Sequence, residues 1–285
     1  AFFLYGMTTM SKSLEKMAGG KLERLLKRMT SNPFKSLLLG AGITIAIQSS
    51  SAMTVMLVGL VNSGVMELGQ TIGVIMGSNI GPTMTSWVLT LVGIESDNIF
   101  ISLLKPENFS LLFAFVGIIL MMGSHPRRKD IGTILVGFAV LMFGMDTMSS
   151  AVKPLADVPE FTSILLKFTN PLLGVLAGLV LTAVIQSSSA SVGILQALCM
   201  TGAVQYSAAL PIIMGQNIGT CVTAILSSIG ANKGAKRVAA VHLLFNIIGT
   251  VVFLIAFYAI HAVIPFDFMD SVVHPANIAV IHSIF

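Results

Sequence analysis

The chain has 285 residues, of which 55% are hydrophobic and only 10% charged, with a formal net charge of +4. A soluble domain of this length needs far more surface charge. The basic residues sit between apolar segments, which argues against a nucleic-acid surface, and a transmembrane barrel would alternate in segments of about 10 residues.

Residues 1–18 form the first predicted helix. The start, Ala1 to Phe3, has no Met and no basic n-region, and reads as a chain entered part-way through a helix, not a signal peptide. A loop of about Ser11 to Lys35 then carries Lys12, Lys16, Lys21, Arg24, Lys27, Arg28 and Lys35. Residues 33–64 are apolar around a polar run, Gln48-Ser49-Ser50-Ser51. Residues 67–94 form an apolar span interrupted at Gly77-Ser78-Asn79-Ile80-Gly81. The segment that follows is acidic, with Glu95, Asp97 and Glu107 around a single Lys105. Residues 108–123 lead to Arg127-Arg128-Lys129, and residues 130–149 lead to a loop at Pro154 to Pro159.

From there the chain repeats itself at an offset of 138 residues. Gln48-Ser49-Ser50-Ser51-Ala52 returns as Gln186-Ser187-Ser188-Ser189-Ala190, and Gly77-Ser78-Asn79-Ile80-Gly81 as Gly215-Gln216-Asn217-Ile218-Gly219. Asn32-Pro33 matches Asn170-Pro171, and Tyr5-Gly6-Met7 matches Phe143-Gly144-Met145. Four anchors hold one register without an insertion. The organisation is therefore a first unit (1–94), connecting helices (95–141), a second unit (142–232) and C-terminal helices (233–285) that stop inside an apolar run. Residues are expected to be missing at both ends.

Lys and Arg placement orients the units. The basic loop after the first helix corresponds to about Ser149 to Leu173, which holds only Lys153 and Lys167 beside Asp157 and Glu160. The first unit ends acidic, whereas the second ends on Lys233, Lys236 and Arg237. Matching loops carry opposite bias, so the units are predicted to be inverted repeats about an axis in the membrane plane. Residues 33–64 then make no net crossing, either as two full spans or as a re-entrant hairpin. Their limbs, about 33–47 and 52–64, are shorter than the ~20 residues of a span, which favours the hairpin. The same reasoning gives a second hairpin at 171–203, with the two polar runs at facing tips. Broken helices are expected at 67–94 and 207–231.

Consecutive polar residues at membrane depth are tolerated only inside protein or against water. Their hydroxyls and carboxamides can donate to an anion or coordinate sodium, and backbone N–H groups at a helix start suit an oxyanion. Paired glycines around Asn79 and Asn217 suggest freed carbonyls, with Thr83 and Thr85 after the first break and Thr220 and Thr223 after the second. No Lys or Arg lies near these elements, so bound sodium is expected to supply the positive charge for the anion. His242 and His282 read as structural histidines hydrogen-bonded between helices, Asp146 as exposed, and Cys199 and Cys221 as core fillers. The 17 methionines are scattered and read as packing.

The doubled Gln-Ser-Ser-Ser, each followed about 30 residues later by Gly-x-Asn-Ile-Gly, resembles the type II sodium–phosphate cotransporters and their bacterial relatives, as does the His242–Asn246 run. The resemblance implies an all-α polytopic membrane protein that moves a hairpin-bearing domain like an elevator, in a bacterial inner membrane, with a homodimer as a candidate assembly and no enzyme activity. It implies phosphate at Gln48, Ser49, Ser50, Ser51, Gln186, Ser187, Ser188 and Ser189. It implies sodium, the coupling ion, at Gln48, Ser78, Asn79, Thr85, Gln186, Gln216, Asn217, Thr220 and Thr223; no other cofactor is expected. Two positions depart from the pattern: Gln216 stands where the first unit has Ser78, and Pro82 where the second has Thr220. Carriage of another oxyanion and passive anion conduction are the alternatives. An enzyme is disfavoured because no Gly-x-Ser-x-Gly elbow accompanies the serines.

Overall fold

The structure, a computed structural model, describes residues 1–29, 32–90, 106–152, 154 and 158–285. The acidic segment holding Glu95, Asp97 and Lys105 lies outside them. Among the described residues the regular structure is helical, apart from one isolated bridge between Gln205 and Val272. The first half contains α1 (Phe2–Met29), α2 (Pro33–Ile47), α3 (Ser50–Asn62), α4 (Leu68–Ser78), α5 (Gly81–Leu89) and α6 (Pro106–Met122). The second contains α7 (Pro126–Val152), α8 (Pro159–Lys167), α9 (Pro171–Ile185), α10 (Ser188–Cys199), α11 (Tyr206–Ser227), α12 (Lys233–Val263) and α13 (Pro275–Ile284). A 3-10 turn, Asp267–Asp270, precedes α13.

Three helical stretches among the described residues are long and apolar enough to cross a membrane: Pro126–Met148, Tyr206–Ser227 and Lys233–Val263. With the shorter apolar helices around them, they make this a helical membrane protein. Helix α1 runs on to Met29, so most of the expected basic loop is helix. The reason is composition: Lys, Leu, Glu, Arg and Met dominate residues 21–29, and all are strong helix formers.

Helices α2 and α9 begin on the same signal. Asn32 Oδ1 accepts from the backbone N–H of Phe34 (2.9 Å) and Lys35 (3.3 Å), and Asn170 Oδ1 from Leu172 (3.0 Å) and Leu173 (3.3 Å). A proline follows each cap at the first helical position, where its missing N–H costs nothing. Each helix is 15 residues, about 22 Å, and so shorter than the hydrocarbon layer.

Helix α2 packs along α4, and α9 along α11. A Cβ on Gly40 would run into the Val74 carbonyl, and one on Gly77 into the Leu37 carbonyl. Gly178 meets Ile212, and Gly215 meets Val175, in the same way. Small residues let these backbones touch, as membrane helices do.

Only one of the two expected breaks is present. Between α4 and α5 the N–H groups of Asn79 and Ile80 turn to i−3 carbonyls, Met76 (3.3 Å) and Gly77 (3.0 Å). Helix α11, by contrast, continues unbroken through Gly215-Gln216-Asn217-Ile218-Gly219. Pro82 decides the difference, since it has no N–H for the ladder and disfavours helical geometry at Gly81. Thr220 stands at the matching position and donates its side chain to the Gln216 carbonyl, 3.0 Å.

The halves interlock reciprocally: α3 packs on α11 and α12, while α10 packs on α5 and α13. The chain leaves α3 beside the start of α12, where Asn232 donates to Asn62 through its N–H (2.8 Å) and its Nδ2 (2.9 Å). It leaves α10 beyond the other end of α12, where the Val273 N–H donates to the Val204 carbonyl (2.9 Å) and that of Tyr206 to the Ser271 carbonyl (3.2 Å). Helices α1, α6 and α7 pack side by side, with an ion pair from Lys16 to Asp130 (2.6 Å) and an exposed apolar face including Leu111, Phe115 and Ile119.

Candidate functional site: a cavity between two serine tips

Each Gln-Ser-Ser-Ser run makes the same local turn. Gln48 lies in the left-handed region (φ 56, ψ 29) and Gln186 likewise (φ 58, ψ 26), each ending a helix. Each still donates its N–H four residues back, to Thr44 (2.8 Å) and Thr182 (2.6 Å). The next residues, Ser49 and Ser187, are extended and cap the following helices. Ser49 Oγ accepts from the Ala52 N–H (3.1 Å), and Ser187 Oγ from that of Ala190 (3.3 Å). One cap bond per helix leaves the other first-turn N–H groups unsatisfied by the helix itself, a positive end suited to anions.

The two tips meet. Ser51 Oγ donates to the Gln186 carbonyl at 3.4 Å. All eight residues expected at the phosphate site, Gln48 to Ser51 and Gln186 to Ser189, line one cavity of about 200 Å³. Ser50, Ser188 and Ser189 are buried there, whereas Gln186 is exposed. Gln48 is fixed at both ends of its amide: Nε2 donates to the Ile45 carbonyl (2.6 Å), and Oε1 accepts from Thr85 Oγ1.

The expectation of a cation-free surrounding fails. A third wall comes from α1, through Met7, Thr8, Ser11, Lys12 and Glu15. Lys12 and Glu15 line the cavity together with Ser49. Distance in sequence hid this wall, because Lys12 looked like part of a basic loop. A usable signal was present: Thr8, Ser11, Lys12 and Glu15 follow i, i+3, i+4, i+7 and so share one polar face of α1.

The expected sodium set is not gathered in one place. Gln48 and Thr85 are joined at the first tip, and Gln186 is at the second. Asn79 and Asn217, from opposite units, line a second cavity of about 630 Å³ with Asn246 and His282. Asn79 Nδ2 donates to Asn246 Oδ1 (3.2 Å), and Asn217 Oδ1 lies 3.4 Å from His282 Nε2. Ser78, Thr220 and Thr223 turn their hydroxyls to carbonyls of their own helices, Ile75, Gln216 and Thr220. Gln216 is fully buried; its Nε2 donates to the Ser191 carbonyl (3.1 Å) and its Oε1 has no protein partner among the described residues. Neutral oxygens of this kind are chemically competent to hold sodium.

His282 is the helix-bridging histidine that was expected, with Ser86 Oγ at 3.1 Å from its Nδ1. His242 departs from that expectation: it is buried and neither ring nitrogen has a hydrogen-bond partner among the described residues. Asp146 is half-buried, not exposed. Cys199 and Cys221 are free and buried.

The family model described as Na+/Pi-cotransporter matches residues 2–150 and 141–266. The uncharacterized protein YqeW of Bacillus subtilis (strain 168) is 33% identical over 249 residues, covering 87% of this chain and 77% of that protein. YjbB of Escherichia coli (strain K12), provisionally named an inorganic phosphate export protein, is 25% identical over 256 residues, 89% of this chain. The chain spans only 45% of the length of YjbB. The sodium-dependent phosphate transport protein 2A of Rattus norvegicus is 35% identical over 93 residues, 32% of this chain and 14% of that protein. No solved structure gives a significant match.

Proposed function

The chain belongs to the Na+/Pi-cotransporter family, and from that premise we propose that it is a secondary transporter that moves inorganic phosphate with sodium by alternating access. The observation that carries the reading is the convergence of two equivalent tips on one cavity. Eight neutral polar residues and two helix starts supply donors for an oxyanion, and each helix start contributes a partial charge of about +0.5. Lys12 and Glu15 offset one another, so the cavity needs further positive charge for a phosphate. Sodium entering with the anion meets that need, and the coupling is reciprocal: each ion raises the affinity for the other.

The inverted arrangement of the units is part of the same proposal. Helix α12 has 31 residues and is about 46 Å long, enough to pass through the bilayer. The exit of the first hairpin is tied to its start, and that of the second lies beyond its end. This supports hairpins entering from opposite faces, as the Lys and Arg bias does. The lengths of α2 and α9 support re-entrant limbs, and the reciprocal packing supports a two-fold relation between the units. We place the protein in a bacterial inner membrane on its similarity to the Bacillus and Escherichia relatives.

Two of the similar proteins are named for opposite emphases, one for export and one for sodium dependence. A symporter reconciles them, since its direction follows the gradients. The test is uptake of labelled phosphate into proteoliposomes with and without an inward sodium gradient. Saturable uptake that requires sodium is expected; equal uptake in both conditions would sink the coupling. Non-saturating flux would favour a passive anion pore. Ser50→Ala and Ser188→Ala should each cripple uptake while the protein still inserts.

A further inference from the structure

The α1 wall of the cavity carries the charges that the two tips lack. Lys12 and Glu15 stand three residues apart on one helix face and open onto the same cavity as the serines. Glu15 lines the cavity together with Ser49, the cap of α3. That is where first-turn N–H groups would meet an incoming oxyanion. A native carboxylate and a native cation therefore already line the space that an incoming anion would enter. The pair has no equivalent in the second unit, where Ser150 and Lys153 stand at the matching positions. It is an addition to the symmetric site and not a product of the repeat.

We propose that Glu15 is a tethered carboxylate that competes with phosphate for the tips, and that Lys12 is the positioning cation that passes from Glu15 to the phosphate when it binds. The inference rests on the reading of this cavity as the phosphate site. A dianion entering beside a fixed carboxylate meets repulsion in a half-enclosed, partly dehydrated space. Binding displaces Glu15, and Lys12 then faces the stronger charge. The pair sets a threshold: a weakly bound or singly charged anion does not displace the carboxylate, and a phosphate held by both tips and by sodium does.

The experiment is equilibrium binding of radiolabelled phosphate to the purified chain in detergent at saturating sodium, for wild type, E15Q, K12Q and the double variant. E15Q is expected to bind at least about tenfold more tightly; two unit charges a few Å apart at an effective dielectric of about 20 would give about a thousandfold, and Lys12 and residual water screen most of it. K12Q should bind about tenfold more weakly, and the double variant should lie near wild type, because the two opposite effects cancel. Should E15Q fail to fold, E15S removes the same charge. A purely structural Glu15 would move the melting temperature and leave affinity alone. The proposal is overturned if folded E15Q binds phosphate no tighter than wild type, or if it merely needs more sodium, which would make Glu15 a cation ligand. A parallel titration with sulfate separates the two claims. No phosphate binding by any variant, with sulfate tightened by E15Q, would overturn phosphate as substrate and leave the competitor standing; no binding of either anion overturns both.

Discussion

Gln48 and Gln186 are the only non-glycine residues with positive φ among those described. A side chain in that region costs on the order of 1–2 kcal/mol, and it persists only where its surroundings hold it. The amide of Gln48 is held by the Ile45 carbonyl and by Thr85. Gln48→Gly should therefore relieve the backbone while deleting the held amide. The expected result is a melting temperature equal to or above wild type, with phosphate uptake reduced at least about tenfold. Gln48→Val should lower both, since a β-branched residue fits this region worst. Thermal unfolding and proteoliposome uptake read the two effects separately. The meeting of the two polar runs was legible because consecutive polar residues in an apolar run need burial against protein or water. The conformation was not, because Gln carries no signal for the left-handed region. Lys12 and Glu15 stayed hidden for another reason: their spacing marks a shared helix face, but only the packing of α1 brings that face to the tips.

At the scale of the element, the Gly-x-Asn-Ile-Gly motifs predicted two broken helices, and one is present. The glycines serve a different need, letting α4 and α11 touch α2 and α9 at backbone distance. Gly77→Val and Gly215→Val should each strongly destabilise the fold, because the colliding atoms are backbone carbonyls that cannot move aside. The break itself depends on Pro82, just past the motif. Thr220→Pro should impose a break on α11 at a cost of about 3 kcal/mol, and Pro82→Thr should let α4 and α5 join and raise stability. Melting curves in detergent check both; a neutral Thr220→Pro would mean that α11 is already interrupted in solution. The starts of α2, α3 and α9 were legible to within a residue or two, since Asn-Pro caps α2 and α9 and Ser caps α3. The basic stretch after residue 18 misled because charge was taken for loop, although its residues favour helix.

At the scale of the molecule, the proposed inversion is the property on which the proposed transport cycle depends. Inverted units can exchange conformations, so that a site open to one side becomes open to the other; parallel units related along the membrane normal give no such guarantee. Charge bias and the α12 tethers bear on this independently, one through loop composition and the other through geometry. The turns after the hairpins offer a direct measurement. Ser63 and Thr201 stand at matching positions, beside Gly64 (φ 72) and Gly202 (φ 73), which turn the chain out of α3 and α10. Asn62, next to Ser63, is tied to the start of α12, and Val204, just past Thr201, to the segment beyond its end. Cys199 and Cys221 are buried and should stay silent to a membrane-impermeant maleimide. Ser63→Cys and Thr201→Cys, each introduced alone, should then react from opposite faces of sealed, uniformly oriented vesicles. The Ser63→Cys site is expected to label from the Lys-rich face. Labelling of both from one face would mean parallel units, and the cavity between the tips would lose the symmetry that alternating access requires.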